Sequence, residues 1–76
     1  MIDKNIKLLS VVALLVDIPE SNLFAGQVGT VVECLAADVY EVEFIDIHGD
    51  TLAIETIEAK YLLTLLFEIP NKKVAA

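Results

Sequence analysis

At 76 residues the chain has room for one domain and no second hydrophobic core. Its net charge of −7, with no arginine among the five cations, argues against nucleic acid or an anionic membrane as a partner. Hydrophobic residues make up 57% of the chain, more than so small a domain buries, so we expect leftover apolar surface and a homo-oligomer. The single cysteine, Cys34, leaves no internal disulfide and agrees with a cytoplasmic location.

The acids are concentrated in the centre of the chain. Four of the five lysines lie outside residues 8–71, whereas this segment holds eleven acids and only Lys60, a net charge of −10. A body of this sign favours a basic protein partner or simple solubility.

The first predicted strand is SVVALLVDI (10–18), a β-branched and leucine run ended by Pro19. Its apolar centre also resembles that of a signal peptide, but no convincing cleavage site follows, so a buried strand is the better interpretation. The loop PESNLFAG (19–26) comes next, and we expect its Leu23 and Phe24 to pack beneath it.

The next two predicted strands are QVGTVVECL (27–35) and VYEVEFI (39–45), joined by a short turn at 36–38. The second of these alternates strictly, which is the clearest strand pattern in the chain. One face carries Tyr40, Val42 and Phe44, and the other carries Glu41 and Glu43.

The segment DIHGD (46–50) predicts a hairpin loop with Gly49 in the left-handed position. A fourth strand, TLAIETI (51–57), follows it, with Leu52 and Ile54 on one face and Ala53 and Glu55 on the other. EAKYL (58–62) predicts one helical turn, and LTLLFEI (63–69) a fifth strand.

These elements predict an all-β fold: an SH3-like five-stranded small barrel with a single helical turn before the last strand. The predicted domains are an N-terminal arm (1–9), the barrel (10–69) and a flexible C-terminal tail (70–76). A five-stranded barrel of the OB type is the main alternative, but it would need a longer helix between strands.

The stretch GQVGTVVE raises three interpretations. A phosphate-binding loop needs a helix after its glycines, and here a β-branched run follows. A nucleic-acid-binding barrel uses basic residues, whereas the central segment has a net charge of −10 and no arginine. We therefore interpret Gly26, Gly29 and Gly49 as structural: Gly26 permits a positive φ, and Gly29 permits a bulge or a close backbone approach.

Three patterns together resemble a known family: Asp17-Ile18-Pro19, then Gly26-x-x-Gly29-Thr30-Val31-Val32-Glu33, then Tyr40-Glu41-Val42-Glu43-Phe44. They resemble an uncharacterised bacterial small-protein family catalogued as domain of unknown function 4926, over residues 10 to about 66. The resemblance implies an SH3-like barrel with no assigned catalytic activity. Relatives resemble accessory genes beside toxin-like or mobile-element genes, which implies a neutralising, antitoxin-like role.

The residues that could carry chemistry are few. Cys34 is the only cysteine and His48 the only histidine, and neither has the partners that a metal site or a nucleophilic pair requires. We predict that Cys34 is a small buried residue sharing a strand face with Thr30 and Val32, and that His48 is a turn residue. Asp46 and Asp50 are interpreted as acids that cap the loop, since the ligand spacing of a calcium loop is missing. We expect no catalytic residue, no cofactor and no metal.

The acids on the strands suggest the function. Glu41 and Glu43 point away from the apolar face, and we predict that Glu33 and Glu55 on the neighbouring strands point the same way. Such a face gives solubility or docks a basic partner. The resulting hypothesis is a non-enzymatic protein-interaction module that binds a basic partner through Glu33, Glu41, Glu43 and Glu55. Its sharper version is an antitoxin- or immunity-type protein. The alternative is a structural or accessory subunit that self-associates through exposed apolar surface.

Overall fold

The computed structural model describes residues 6–66, which form an all-β domain of five antiparallel strands in one sheet. The strands are β1 (Val11–Leu14), β2 (Val28–Ala36), β3 (Val39–Ile45), β4 (Thr51–Glu58) and β5 (Leu62–Thr64). Within this range the helical elements are two 3-10 turns, Pro19–Ser21 and Ala59–Tyr61. Residues 67–69 of the predicted last strand, the tail 70–76 and residues 1–5 of the arm lie outside the described part.

The sheet order is β4-β3-β2-β1-β5, so the long strand β2 links two halves of the sheet. Every pairing is antiparallel. Over the described residues β4 and β5 are both edges, and the sheet is therefore open rather than closed into the expected barrel. The expected helical turn before the last strand is confirmed as the 3-10 turn Ala59–Tyr61.

The hydrophobic core lies on one side of this sheet. Its fully buried side chains come from four strands and one loop: Val12, Leu14, Leu23, Val31, Val42, Phe44 and Leu62. Residues 6–66 contain no second layer that could cover such side chains. The sheet must therefore curve over its own core, and the loop that carries Leu23 covers the rest.

Gly29 is a point of close packing between β2 and β3. It pairs with Phe44 on the neighbouring strand. A Cβ built at Gly29 would lie 2.7 Å from Val42 Cγ1 and 2.8 Å from Phe44 Cδ1, closer than real Cβ atoms come to other atoms. The close neighbours of Gly29 are thus side chains rather than the backbone that was expected, and the aromatic ring fills the space that a side chain would need.

The first strand and its loop differ from the expectation. The strand ends at Leu14 rather than running to residue 18, and Leu15 is 48% exposed. Gly26 N–H donates to the Leu14 carbonyl and Leu14 N–H to the Gln27 carbonyl, which closes the ladder there. Phe24 is 47% exposed, whereas the adjacent Leu23 is buried, because neighbouring residues of an extended segment point to opposite sides.

The two turn glycines adopt the expected backbone. Gly26 has φ +96° where the first loop ends, and Gly49 has φ +87° in the hairpin between β3 and β4. Both lie in the region that side chains with a Cβ rarely adopt. Among residues 6–66, no helix has the length and apolar character that crossing a membrane would require.

Candidate functional site

The cross-strand register assigns side chains to two faces of the sheet, since directly opposite residues share a face. We call the side that holds Tyr40, Val42 and Phe44 the core face and the opposite side the outer face. Tyr40, Val42 and Phe44 are buried as predicted. On the outer face, one row of opposite residues is Thr30, Glu43 and Ile54, and the next is Glu33, Glu41 and Thr56.

The outer face brings together three of the four predicted acids, Glu33, Glu41 and Glu43, which we call the acidic row. Glu33 on β2 lies directly opposite Glu41 on β3, so their Cβ atoms are about 5 Å apart. Glu41 and Glu43 are two residues apart on one strand and therefore share its side. The row is thus a set of like charges on adjacent positions.

No cation of the described residues neutralises the acidic row. The one salt bridge within residues 6–66 joins Lys60 Nζ to Glu58 at 3.7 Å, and it includes none of Glu33, Glu41 and Glu43. Thr51 Oγ1 donates a hydrogen bond to Glu43 at 2.6 Å, and Thr56 Oγ1 donates a long one to Glu41 at 3.4 Å. These hydroxyl contacts orient two of the carboxylates and leave their negative charge unbalanced.

A β-bulge in β2 places Glu33 in the row. The register passes from Val31 opposite Val42 to Glu33 opposite Glu41, so two residues of β2 match one of β3. Strict alternation would put Thr30 and Glu33 on different faces, whereas the bulge lets both lie on the outer one. Sequence alternation contains no signal for this extra residue.

The same bulge overturns the prediction for Cys34. Cys34 lies opposite Tyr40, on the core side, and not on the face of Thr30. It is also exposed rather than buried, although Tyr40 opposite it belongs to the core.

The prediction that Glu55 shares the face of Glu41 and Glu43 is wrong. Glu55 lies opposite Val42, which puts it on the core face at the edge of the sheet. There the Ser21 hydroxyl, from the first 3-10 turn, donates a hydrogen bond to its carboxylate. The prediction assumed that Leu52 and Ile54 lie on the buried side of this strand. Alternation then assigned Glu55 to the outer face. In the structure Ala53, Glu55 and Ile57 face the core, and Leu52 and Ile54 are about half exposed.

The outer face also carries an apolar band that sequence patterning did not locate. Ala13 lies between Val28 and Leu63 in the register of β1 with its neighbours. Val28 on β2 and Ile45 on β3 are each one residue away from the paired residues Gly29 and Phe44. Leu52 lies beside Ile45 on β4. The four large side chains are each 46–50% exposed. We define the apolar band as Leu52, Ile45, Val28, Ala13 and Leu63. Hydrophobic residues on both faces of β2 and β4 were the only sequence signal for it.

The hairpin that holds His48 is organised by Asp46. One carboxylate oxygen of Asp46 accepts hydrogen bonds from His48 N–H at 2.8 Å and Asp50 N–H at 3.0 Å. Its role as a capping acid and the position of His48 in the turn are confirmed. A cleft of about 360 Å³ lies at the opposite end of β3, lined by Asp38, Val39, Glu58, Ala59 and Lys60. Among the described residues, no group of three or more His, Cys, Asp or Glu side chains is placed to hold a metal ion.

The fold and the outer face define a small all-β domain with an acidic surface. The model of a protein family described as "Domain of unknown function (DUF4926)" matches residues 8–64. Because this match covers most of the chain, the chain belongs to that family. No curated protein and no solved structure shows detectable similarity to it.

Proposed function

We propose that this chain is a non-enzymatic protein-interaction module that binds a basic protein through the acidic row. The observation that carries the proposal is Glu33 lying directly opposite Glu41, with Glu43 beside them and no cation of the described residues against the row. Like charges directly opposite each other destabilise a sheet by tenths of a kcal/mol per pair. When a basic partner binds, its positive charges are attracted to these carboxylates and relieve their mutual repulsion.

The electrostatics suit a partner that must be captured quickly. A patch of one sign raises the association rate of an oppositely charged protein and orients it, and the effect falls as salt rises. A basic toxin held by an antitoxin- or immunity-type protein is a partner of this kind. The resemblance to accessory genes beside toxin-like genes supports this version, and the single, exposed Cys34 agrees with a reducing cytoplasm.

We further propose that this five-stranded sheet, although open over residues 6–66, is related to the SH3-like small barrels. The supporting features are a long first loop, a central strand with bulges that is shared by two halves of the sheet, and a 3-10 turn before the last strand. An OB-type barrel would need a longer helix than the 3-10 turn found between β4 and β5.

The test is a pull-down from the native host at low and then moderate salt, using a tagged chain and its Glu41→Lys/Glu43→Lys variant. We expect a stoichiometric basic protein with the wild type, which is lost as salt rises and is not retained by the variant. The control variant Glu20→Lys/Asp38→Lys makes the same charge change at exposed positions away from the row. Its retention of the partner would locate binding at the row. Equal retention by all three proteins would contradict the proposal.

A second candidate function is supported by the apolar band. Val28, Ile45, Leu52 and Leu63 expose about half of their surface side by side, as interface residues do before association. In this alternative the chain is an accessory subunit of a larger complex that self-associates through the band. Recovery of the chain alone, as an oligomer that salt does not disrupt, would favour it.

A further inference from the structure

Strand β4 is an edge strand of the sheet, and the side that faces away from β3 is unpaired among the described residues. It runs from Thr51 to Glu58, and among residues 6–66 its neighbour in the sheet is β3 alone. From residue 53 to residue 58 it keeps an unbroken register with β3. An antiparallel edge of this kind directs alternate N–H and C=O groups away from the sheet, where another strand can pair with them.

The edge lacks most of the features that block pairing. The segment TLAIETIE contains no proline, glycine or lysine, and its bulge lies at its start, between the pairs of Phe44 and Ile45. Leu52 and Ile54 expose about half of their side chains on the outer face. They offer apolar contacts to the methylene stems of lysines or arginines on an added strand.

Acids flank this edge on both faces of the sheet. Glu43 and Glu41 lie behind Ile54 and Thr56 on the outer face, and Glu55 lies on the core face of β4 itself. Strands are spaced about 4.8 Å apart, so a strand added beside β4 would lie about 10 Å from β3. An extended lysine or arginine on that strand and a glutamate on β3 together span this distance.

We propose that the β4 edge binds an extended basic segment of the partner by strand addition. Backbone hydrogen bonds to β4 supply affinity, and lysines or arginines alternating with apolar residues supply specificity. Because side chains of a strand alternate between faces, all these cations lie on the outer face, where they reach Glu41 and Glu43 from the β4 side. This inference rests on the proposed function, because it assigns the partner segment and its mode of binding to the same acidic surface.

The charges also distinguish this occupant from a second copy of the chain. In an antiparallel β4–β4 pairing centred on Ile54, Glu58 lies opposite Asp50 of the other copy, and the two Glu55 side chains become diagonal neighbours. Like charges in these positions disfavour the pair. A basic strand instead places cations on the outer face beside Glu58, so the acid that disfavours a second copy favours this occupant.

The test uses a capped octapeptide of alternating lysine and valine, added to the isotopically labelled full chain and followed by NMR. We expect chemical-shift changes and slowed amide exchange at residues 53–58. The control peptide has the same sequence with its four central backbone nitrogens methylated, which keeps the charge and removes the donors. We expect it to bind at least about tenfold more weakly, since several backbone hydrogen bonds are lost.

A pair of variants locates the binding on the protein. Ile54→Lys places a positive charge beside the lysines of the added strand and should lower the affinity for the unmodified peptide by about tenfold. Val28→Lys makes the same change at a similarly exposed position of the outer face, on β2, and should change affinity less than about twofold. Equal effects of the two variants would contradict strand addition at β4.

The outcomes separate this inference from the proposed function. If both peptides bind equally and shift only the acidic row, strand addition is overturned and the acidic docking surface stands. If neither peptide binds and the native basic partner is also absent, both proposals fail. Concentration-dependent shifts at β4 without peptide, together with a doubled mass, would overturn the inference in favour of a second copy.

Discussion

Two glycines of this chain are required for different physical reasons. Gly26 has a positive φ and open space around it, so an added side chain would strain the backbone without a clash. Gly29 has no such φ, but its missing side chain leaves room for Val42 and Phe44. Both roles were predictable as alternatives from the sequence, and the structure assigns the close approach to Gly29.

We predict that Gly29→Ala lowers the free energy of unfolding by about 1–3 kcal/mol, because overfilling a packed core forces its neighbours apart. Urea denaturation measures this value. Phe44→Leu should relieve part of the clash, so the double variant should lose less stability than the two single losses combined. Gly26→Ala is the control: it should cost about 1–2 kcal/mol through its backbone, and Phe44→Leu should not relieve it. Additive losses for the Gly29 pair would contradict the packing explanation.

At the scale of elements, β4 combines an open edge with a charge on its inner side. Glu55 faces the core at the border of the sheet, where Ser21 provides a hydrogen bond. Charged side chains that point inward on an edge strand are one way in which proteins prevent edges from pairing with copies of themselves. Glu55 therefore disfavours pairing of β4 with the β4 strand of a second copy of the chain.

We predict that Glu55→Val causes association that increases with concentration, because it removes this charge and leaves a β-branched edge. Sedimentation velocity over a concentration series measures the effect. Thr56→Val is the matched control, since it adds the same side chain to the same edge but on the outer face. Association of both variants to the same degree would show that hydrophobicity, and not the inward charge, controls pairing.

The strands themselves show where sequence patterning is sufficient. β3 begins and ends at the residues that its alternating pattern predicted. The pattern is reliable here because Tyr40, Val42 and Phe44 are all buried on one face of the strand. The faces of the neighbouring strands were harder to predict from the sequence, because β2 contains bulges and β4 has apolar residues on both faces. One extra residue reverses the face of the residues after it, which is why Cys34 was misplaced, whereas Glu55 was misplaced because Leu52 and Ile54 were expected on the buried face.

At the scale of the whole molecule, a net charge of −7 and an exposed apolar band act against each other. The charge repels a second copy at long range, and the band attracts it at contact. Salt screens the first effect and leaves the second, since the Debye length falls from about 10 Å at 0.1 M to about 3 Å at 1 M. Self-association and binding of a basic partner should therefore respond to salt in opposite directions.

We predict that the chain self-associates more strongly as salt rises from about 0.1 M to 1 M, as mass measurements in solution can show. Leu63→Lys, in the apolar band, should weaken this association. Ile47→Lys is the control, because Ile47 is 93% exposed in the hairpin loop and lies outside the band. If the two variants weaken association equally, net charge and not the band governs it.

The sequence by itself determined the all-β class, the two turn glycines, the boundaries of β3 and the acidic centre, since these depend on local backbone preference and composition. The tertiary structure decided which acids share a face, because register and bulges depend on the packing of one strand against another. It placed Glu33, Glu41 and Glu43 together and turned Glu55 toward the core. It also placed apolar residues from five strands in one band, which no single segment of the sequence contains.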